Sequence, residues 1–189
     1  MVMVMVMLMA AMGASLGNDE SRISLFAFDS PAAAAEWQAV NDGVMGGVSD
    51  GRFRITANRT LEFFGTLSLE NNGGFTSIRT VTRALGLRVG DTLVVRLRGD
   101  GREYQVNLHT ARGMRAFSYR AAASTRPGEW IEVRLPLNRF EATSFGQTIP
   151  GAGPVNPASV TSVGFLLAEK APGRFLLEVG SILVQRAGG

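Results

Sequence analysis

The chain has 189 residues, 46% hydrophobic and 19% charged, with a net charge of +3, one histidine and no cysteine. That length supports one domain with a proper core and is short for two, and the composition is that of a folded chain. Without cysteine there are no disulfides, thiolate chemistry or Cys-based metal sites, and a single histidine nearly excludes other transition-metal centres.

Residues 1–20 read as an apolar leader. The stretch "MVMVMVMLMAAMGASLG" is too short for a membrane span, which needs about 18 or more apolar residues. Its small-residue exit suits a signal peptide, yet no Lys or Arg precedes the apolar run. Export to the periplasm or association with a membrane follows if the leader is genuine, and a cytoplasmic location follows otherwise. Residues 21–186 are expected to form a single domain.

Ser30-Pro31 followed by Ala32 to Trp37 predicts a short N-terminal helix, with Ser30 able to cap and Pro31 suited to the first turn. Asn41-Asp42-Gly43 breaks it and opens the Gly-rich run "NDGVMGGVSDG". So many glycines point to positive φ angles or to another backbone packed very close. Short alternating segments then take over: Arg52–Thr56, Leu61–Phe64, Thr66–Leu69 and Phe75–Val81, and later Trp130–Leu135, Val163–Ala168 and Phe175–Val184. Their spacing is that of an all-β sandwich or barrel. In "LVVRLRGDGREYQVNL" a two-residue turn at Asp100-Gly101 predicts a β-hairpin. Its register sets Arg98 opposite Glu103, Leu97 opposite Tyr104, Val95 opposite Val106 and Leu93 opposite Leu108, with Arg96, Gln105 and His109 on the other side. Glu141 to Pro157, rich in Gly and Pro, reads as a long surface loop. No internal repeat and no domain linker are evident.

Lysine occurs once, at Lys170, and arginine supplies the other basic residues. Ten arginines fall between Arg79 and Arg126 against Asp91, Asp100 and Glu103. That stretch is either a solvated face or a contact with an anionic surface. No nucleic-acid partner is expected.

Gly47-Val48-Ser49-Asp50-Gly51 spells the G-x-S-x-G of a hydrolase nucleophile elbow, and Asp91 or Asp100 and then His109 follow in the chain order of that fold. The context does not match, because a nucleophile elbow sits between a buried strand and a helix. Here a Gly-rich loop precedes Ser49, an alternating strand follows it, and the register turns His109 outward. Asp42 and Asp50 are oxygen donors of the calcium type, but in no EF-hand spacing, so no metal and no cofactor are expected. Phosphate-loop motifs are absent. Arg98-Gly99-Asp100 spells an adhesion tripeptide that turn chemistry already explains. Trp37, Trp130, Phe63 and Phe165 read as core.

The segment "LENNGGFTSIRT" places Asn71, Asn72, Gly73 and Gly74 before a strand. Thr76, Ile78 and Thr80 share one face of that strand, and Phe75, Ser77 and Arg79 share the other. If Ile78 points into the core, a ring, a hydroxyl and a guanidinium stand outside, the composition of a binding hot spot. The opposite arrangement, with Phe75 buried and Arg79 capping the sheet edge, remains open at this level.

Several strings in order, Trp37 with "VNDGVMGGVSDG", then "LENNGGFTSIR", "RGDGREYQVNL", "PGEWIEVRLPLNRF" and "VGFLLAEKAPGRFLLEVGSI", resemble the complex I intermediate-associated protein 30 family over Phe26 to Ile182. The resemblance implies a galactose-binding-like jelly-roll β-sandwich of antiparallel strands. Mitochondrial members of that family act as assembly chaperones for respiratory complex I, and plant relatives serve photosynthetic membrane complexes. It brings no catalytic residue, and without a mitochondrial presequence the chain resembles a bacterial member. The expected function is therefore non-enzymatic binding of protein subunits of a membrane complex. Asn41, Asp42, Met45, Asn71, Asn72, Phe75, Ser77 and Arg79 are the candidate surface, with Arg96 and Arg98 as steering charges. Gly43, Gly46 and Gly47 are expected to let their loop fold tightly, Met45 to plug the end of the core, and Asp42 to brace nearby backbone N–H groups. Trp37, Gly73, Gly74, Asp100, Gly101 and Tyr104 are read as structural. The alternative is a carbohydrate- or small-ligand-binding module, in which Phe75, Asn71 and Asn72 contact a sugar.

Overall fold

The computed structural model describes residues 22–111 and 117–187. The leader, and Arg112 and Arg115 of the basic stretch, lie outside the described residues. In chain order the first strands are β1 (Arg22–Phe26), β2 (Trp37–Asn41), β3 (Asp50–Ile55), β4 (Leu61–Leu67), β5 (Thr76–Thr80) and β6 (Thr92–Arg98). They continue as β7 (Glu103–Thr110), β8 (Phe117–Ser124), β9 (Trp130–Pro136), β10 (Glu141–Ser144), β11 (Gln147–Thr148), β12 (Val160–Leu167) and β13 (Gly173–Gln185). One sheet has six strands, ordered β3-β4-β13-β6-β9 with β1 beside β13; the other has seven, ordered β11-β10-β8-β7-β12-β5-β2. All the strand pairings are antiparallel. The protein is an antiparallel β-sandwich.

Alternation along each strand builds the shared core. Leu61, Phe63, Leu93, Val95, Leu97, Leu177 and Val179 point inward from the six-stranded sheet. They meet Ile78, Tyr104, Val106, Leu108, Val163, Phe165 and Leu167 of the seven-stranded one. Each large side chain buried this way contributes roughly 1.5–3 kcal/mol. Trp37 closes one end, stacked on Phe165 with ring centroids 6.2 Å apart and edge-on to Phe26 at 5.7 Å.

The hairpin expected at Asp100-Gly101 is not formed. β6 pairs with β13 and β9, whereas β7 pairs with β12 and β8, so the connection crosses from one sheet to the other. Arg98 faces Glu178 and Trp130, not Glu103. The apolar residues still share one side, because alternation fixes which face is buried and is silent on which strand lies alongside. Asp100 anchors the crossing: its carboxylate accepts from the Tyr104 hydroxyl at 3.1 Å and from the backbone N–H groups of Arg102 at 3.2 Å and Leu176 at 3.0 Å. Burial, with the Asp100 charge, pushes the Tyr104 phenol well above its ordinary pKa.

The N-terminal helix is a 3-10 turn, Pro31–Glu36, and Trp37 already begins β2. Leu61–Phe64 and Thr66–Leu69 join through Gly65 into one strand, β4, which ends at Leu67. The stretch 141–157, read as loop, starts with the short hairpin β10–β11. β1, β2 and β8 were also absent from the expected strands.

Candidate functional site

The Gly-rich segment is a corner built around one carboxylate. Asp42 starts a 3-10 turn, Asp42–Met45, that ends on Gly46 at φ 89°. It is buried, and its Oδ1 accepts from Ser49 N–H at 3.0 Å. Its Oδ2 accepts from the Ser49 hydroxyl at 2.6 Å and from the N–H groups of Gly74 at 2.8 Å and Phe75 at 3.3 Å. A Cβ on Gly73 would stand 2.6 Å from Oδ2, and one on Gly47 would be closer still to the carboxylate, so both positions exclude a side chain. Burial raises the Asp42 pKa, but the Ser49 hydroxyl and the Gly74, Ser49 and Phe75 N–H groups outweigh it and hold the carboxyl below its usual range. Asn41 clamps the same corner, donating to Gly51 C=O at 3.1 Å and accepting from the Thr76 hydroxyl at 2.6 Å. Asp42 braces backbone groups as expected.

Met45 does not plug the core; it is 58% exposed. The 3-10 turn ends in a left-handed glycine and leaves that side chain on the solvent side. Ser49 Oγ lies between Asp42 and Ser68: its one proton goes to the closer Asp42 Oδ2, the Ser68 carbonyl stands 3.1 Å away, and it accepts from Ser68 N–H at 3.0 Å. It is a strut of the corner, with its hydrogen-bonding capacity occupied. Asp50 pairs with Arg52 at 2.7 Å, apart from Asp42. Among the described residues no group of three or more His, Asp or Glu side chains is placed to hold a metal. Asn71 and Asn72 lie exposed beside the corner at φ 55° and 58°.

Ile78 is fully buried, so Phe75, Ser77 and Arg79 face outward from the seven-stranded sheet. The register then builds a row across that outer face: Gln38 beside Arg79, Arg79 beside Gly164, Gly164 beside Asn107, Asn107 beside Arg120, and Arg120 beside Glu141. Gly164 leaves a gap in the row because a Cβ there would stand 2.4 Å from the Ile78 carbonyl oxygen. Asn107 is 4% exposed and its Oδ1 has no hydrogen-bond partner. Arg79 and Arg120 are half-buried and form none of the ion pairs among the described residues. Among the described residues Arg120 Nε donates to the Ser118 hydroxyl alone, at 3.2 Å. His109 is turned to this face, as expected, but is half-buried rather than free in solvent. Burial, and then the charges of Arg79 and Arg120, lower its pKa to about 4, so it is neutral at pH 7.

Two depressions lie on this face. One, of about 200 Å3, is bounded by Gln38, Arg79, His109 and Phe117. The other, of about 580 Å3, is bounded by Gln105, Arg120, Ala122 and Glu141 of this sheet and, at its edge, by Leu135 of β9 and Arg139 of the turn that follows it. Beside the larger one stands the tip of the β10–β11 hairpin, Phe145-Gly146, with φ 48° and 79°. Phe145 is 80% exposed in a left-handed conformation that bulky residues avoid. Sequence reasoning named Arg79 but missed Asn107, Arg120, Gly164 and Phe145. Asn107 carried the one available signal, a polar residue between two buried apolar ones.

Arg96 and Arg98 are elsewhere, on the outer face of the six-stranded sheet. Their guanidinium carbons lie 4.5 and 4.9 Å from the Trp130 ring, and Arg98 pairs with the buried Glu178. Trp130 is therefore not core. It lies half-exposed across Gly180, where an added Cβ would meet its ring at 3.1 Å. The ten candidate residues thus divide among the Asp42 corner, the outer face of the seven-stranded sheet and the opposite face of the molecule.

In fold the chain is similar to a family 11 carbohydrate-binding module from Clostridium thermocellum, at TM-score 0.60 and 13% identity over 80% of this chain and 89% of that one. In sequence it is similar to the mouse protein "Complex I intermediate-associated protein 30, mitochondrial", 30% identical over 78% of this chain and 51% of that protein. The Drosophila melanogaster protein of the same description is 27% identical over 82% of this chain and 60% of its own length. The chain thus spans about half the length of the curated relatives it matches. The family model described as Complex I intermediate-associated protein 30 matches residues 26–179. The chain belongs to the complex I intermediate-associated protein 30 family.

Proposed function

We propose that this chain is a non-enzymatic binding protein that associates with partly assembled subunits of a membrane respiratory complex of the complex I type, through the outer face of its seven-stranded sheet. Family membership supports the class of partner, and the row Arg79–Gly164–Asn107–Arg120 carries the choice of face. Two half-buried guanidiniums without a carboxylate partner among the described residues are an unfinished arrangement that a partner completes. Phe145 supplies an exposed ring at one rim, and Phe75 with Asn71 and Asn72 stands toward the other. The two arginines steer and orient, and the ring anchors. A neutral sugar fits this row less well, because stacking on a pyranose wants an aromatic platform and the row offers amide, guanidinium and carboxylate groups.

Pull-down from detergent-solubilised membranes of the source cell tests this. Ala122 is exposed on the same face, and Ala122→Trp places a large ring in the larger depression from a solvent-facing position. The wild-type chain is expected to retain respiratory-complex subunits and the variant to lose them. Equal retention by both, with the variant folded, would sink this choice of face.

A further inference from the structure

Arg79, Gly164 and Arg120 specify more than a docking face; they specify what is docked. We infer that the centre of this face binds an acidic side chain of a protein partner, its carboxylate held between Arg79 and Arg120 over the gap left by Gly164. The inference rests on the reading of this face as the docking surface.

Three observations carry it. Arg79 and Arg120 stand on strands β5 and β8, separated by β12 and β7, about 14 Å apart at the backbone by strand spacing. Gly164 leaves the interval without a side chain, so the two long side chains have room to extend over the middle of the row from either side. A carboxylate has the right sign, and its two oxygens allow one guanidinium each. Asn107 stands between Gly164 and Arg120 in the register with its Oδ1 closed off from solvent, so the guanidiniums are the groups that meet a ligand here. Glu141, the acid next to Arg120 in the register, makes no ion pair with it, and among the described residues no carboxylate pairs with either arginine. The half-buried setting of both arginines weakens solvent screening there relative to the exposed pairs Arg52–Asp50 and Arg126–Glu129.

The test is a nuclear magnetic resonance titration of the full chain, following the Arg79 and Arg120 Nε–H signals and the Asn107 side-chain amide. The probes are a capped peptide with one Glu between glycines, its Gln counterpart, sodium glucuronate and inorganic phosphate. The Glu peptide is expected to shift all three signals. Its affinity should fall about tenfold in Arg79→Gln or Arg120→Gln, the order expected for a lost charge-assisted hydrogen bond, and decline at high salt. Asn107→Asp, which sets a carboxylate beside the site, should abolish binding. The Gln peptide should be silent. If glucuronate or phosphate shifts the three signals and the Glu peptide does not, or if Glu and Gln peptides bind alike, the inference is overturned. Subunit capture separates this from the proposed function. Loss of capture in Ala122→Trp but full capture in the folded Arg79→Gln, Arg120→Gln double variant would refute acid recognition and leave the docking face standing. Full capture by both variants would remove both.

Discussion

Asp42→Asn isolates the carboxylate that ties the two Gly-rich loops. The change keeps shape and removes charge. The best placement of the amide leaves its oxygen where Oδ2 was, facing the Ser49 hydroxyl and the N–H groups of Gly74 and Phe75, and sets its NH2 against Ser49 N–H, formerly 3.0 Å from Oδ1. Three hydrogen bonds lose charge assistance, at about 0.5–1 kcal/mol each, and one buried donor meets another donor, at about 1–3 kcal/mol. The sum is about 4 kcal/mol, a fall in Tm on the order of 10 °C for a domain of this size. The pH dependence has a fixed sign. The folded carboxyl titrates below its ordinary value, so its contribution is fully present above about pH 4 and disappears as pH falls through the folded pKa. Thermal unfolding by circular dichroism at pH 7 and at progressively lower pH measures both. The deficit of the variant should be large at pH 7 and shrink in acid. A variant within about 2 °C of wild type at pH 7, below the shift that 1 kcal/mol produces, would show that the corner does not depend on this carboxylate.

Two further outcomes follow from the outer face. His109 titrates in the folded chain near pH 4 against about 6.5 unfolded, so the folded state loses stability as pH falls between those values, on the order of 3 kcal/mol in total. In urea titrations from pH 7 to pH 4, His109→Gln should lose stability less steeply than wild type; parallel curves would contradict the burial of the neutral ring. Phe145 occupies a left-handed turn position that favours Asn, so Phe145→Asn should raise stability by about 1 kcal/mol while lowering subunit capture. A variant that loses stability would refute the strain at this turn, and one that captures as well as wild type would remove Phe145 from the docking surface.

Alternation made the faces legible. Leu93, Val95 and Leu97, and Tyr104, Val106 and Leu108, are all inward as their spacing requires, and Arg79 and His109 are outward. Partners were not legible. A glycine-rich corner between two alternating strands looks the same whether it closes a hairpin or carries the chain to the opposite sheet. What distinguishes them here are contacts far away in sequence: Arg98 with Glu178, Gly99 with Thr125, and Asp100 with Leu176. The same limit hid the row on the outer face, whose members come from six strands and meet only through register. Trp130 was misplaced because a large aromatic reads as core, while Gly180 provides a flat surface outside on which it lies under two arginines. Phe145-Gly146 escaped notice because the residue demanding the turn is the one that turn chemistry disfavours. The Asp42 corner was the most legible part of the candidate site, since a carboxylate among glycines beside a second Asn-Gly-Gly run has few ways to satisfy its oxygens once buried.

Site-directed photo-crosslinking in intact cells tests the docking face most directly. A photoreactive residue replaces Ala122 on the outer face of the seven-stranded sheet in one strain, and Leu176, exposed on the six-stranded sheet, in another. Adducts with respiratory-complex subunits are expected from position 122 and not from 176. Adducts from 176 with none from 122 would contradict the assignment.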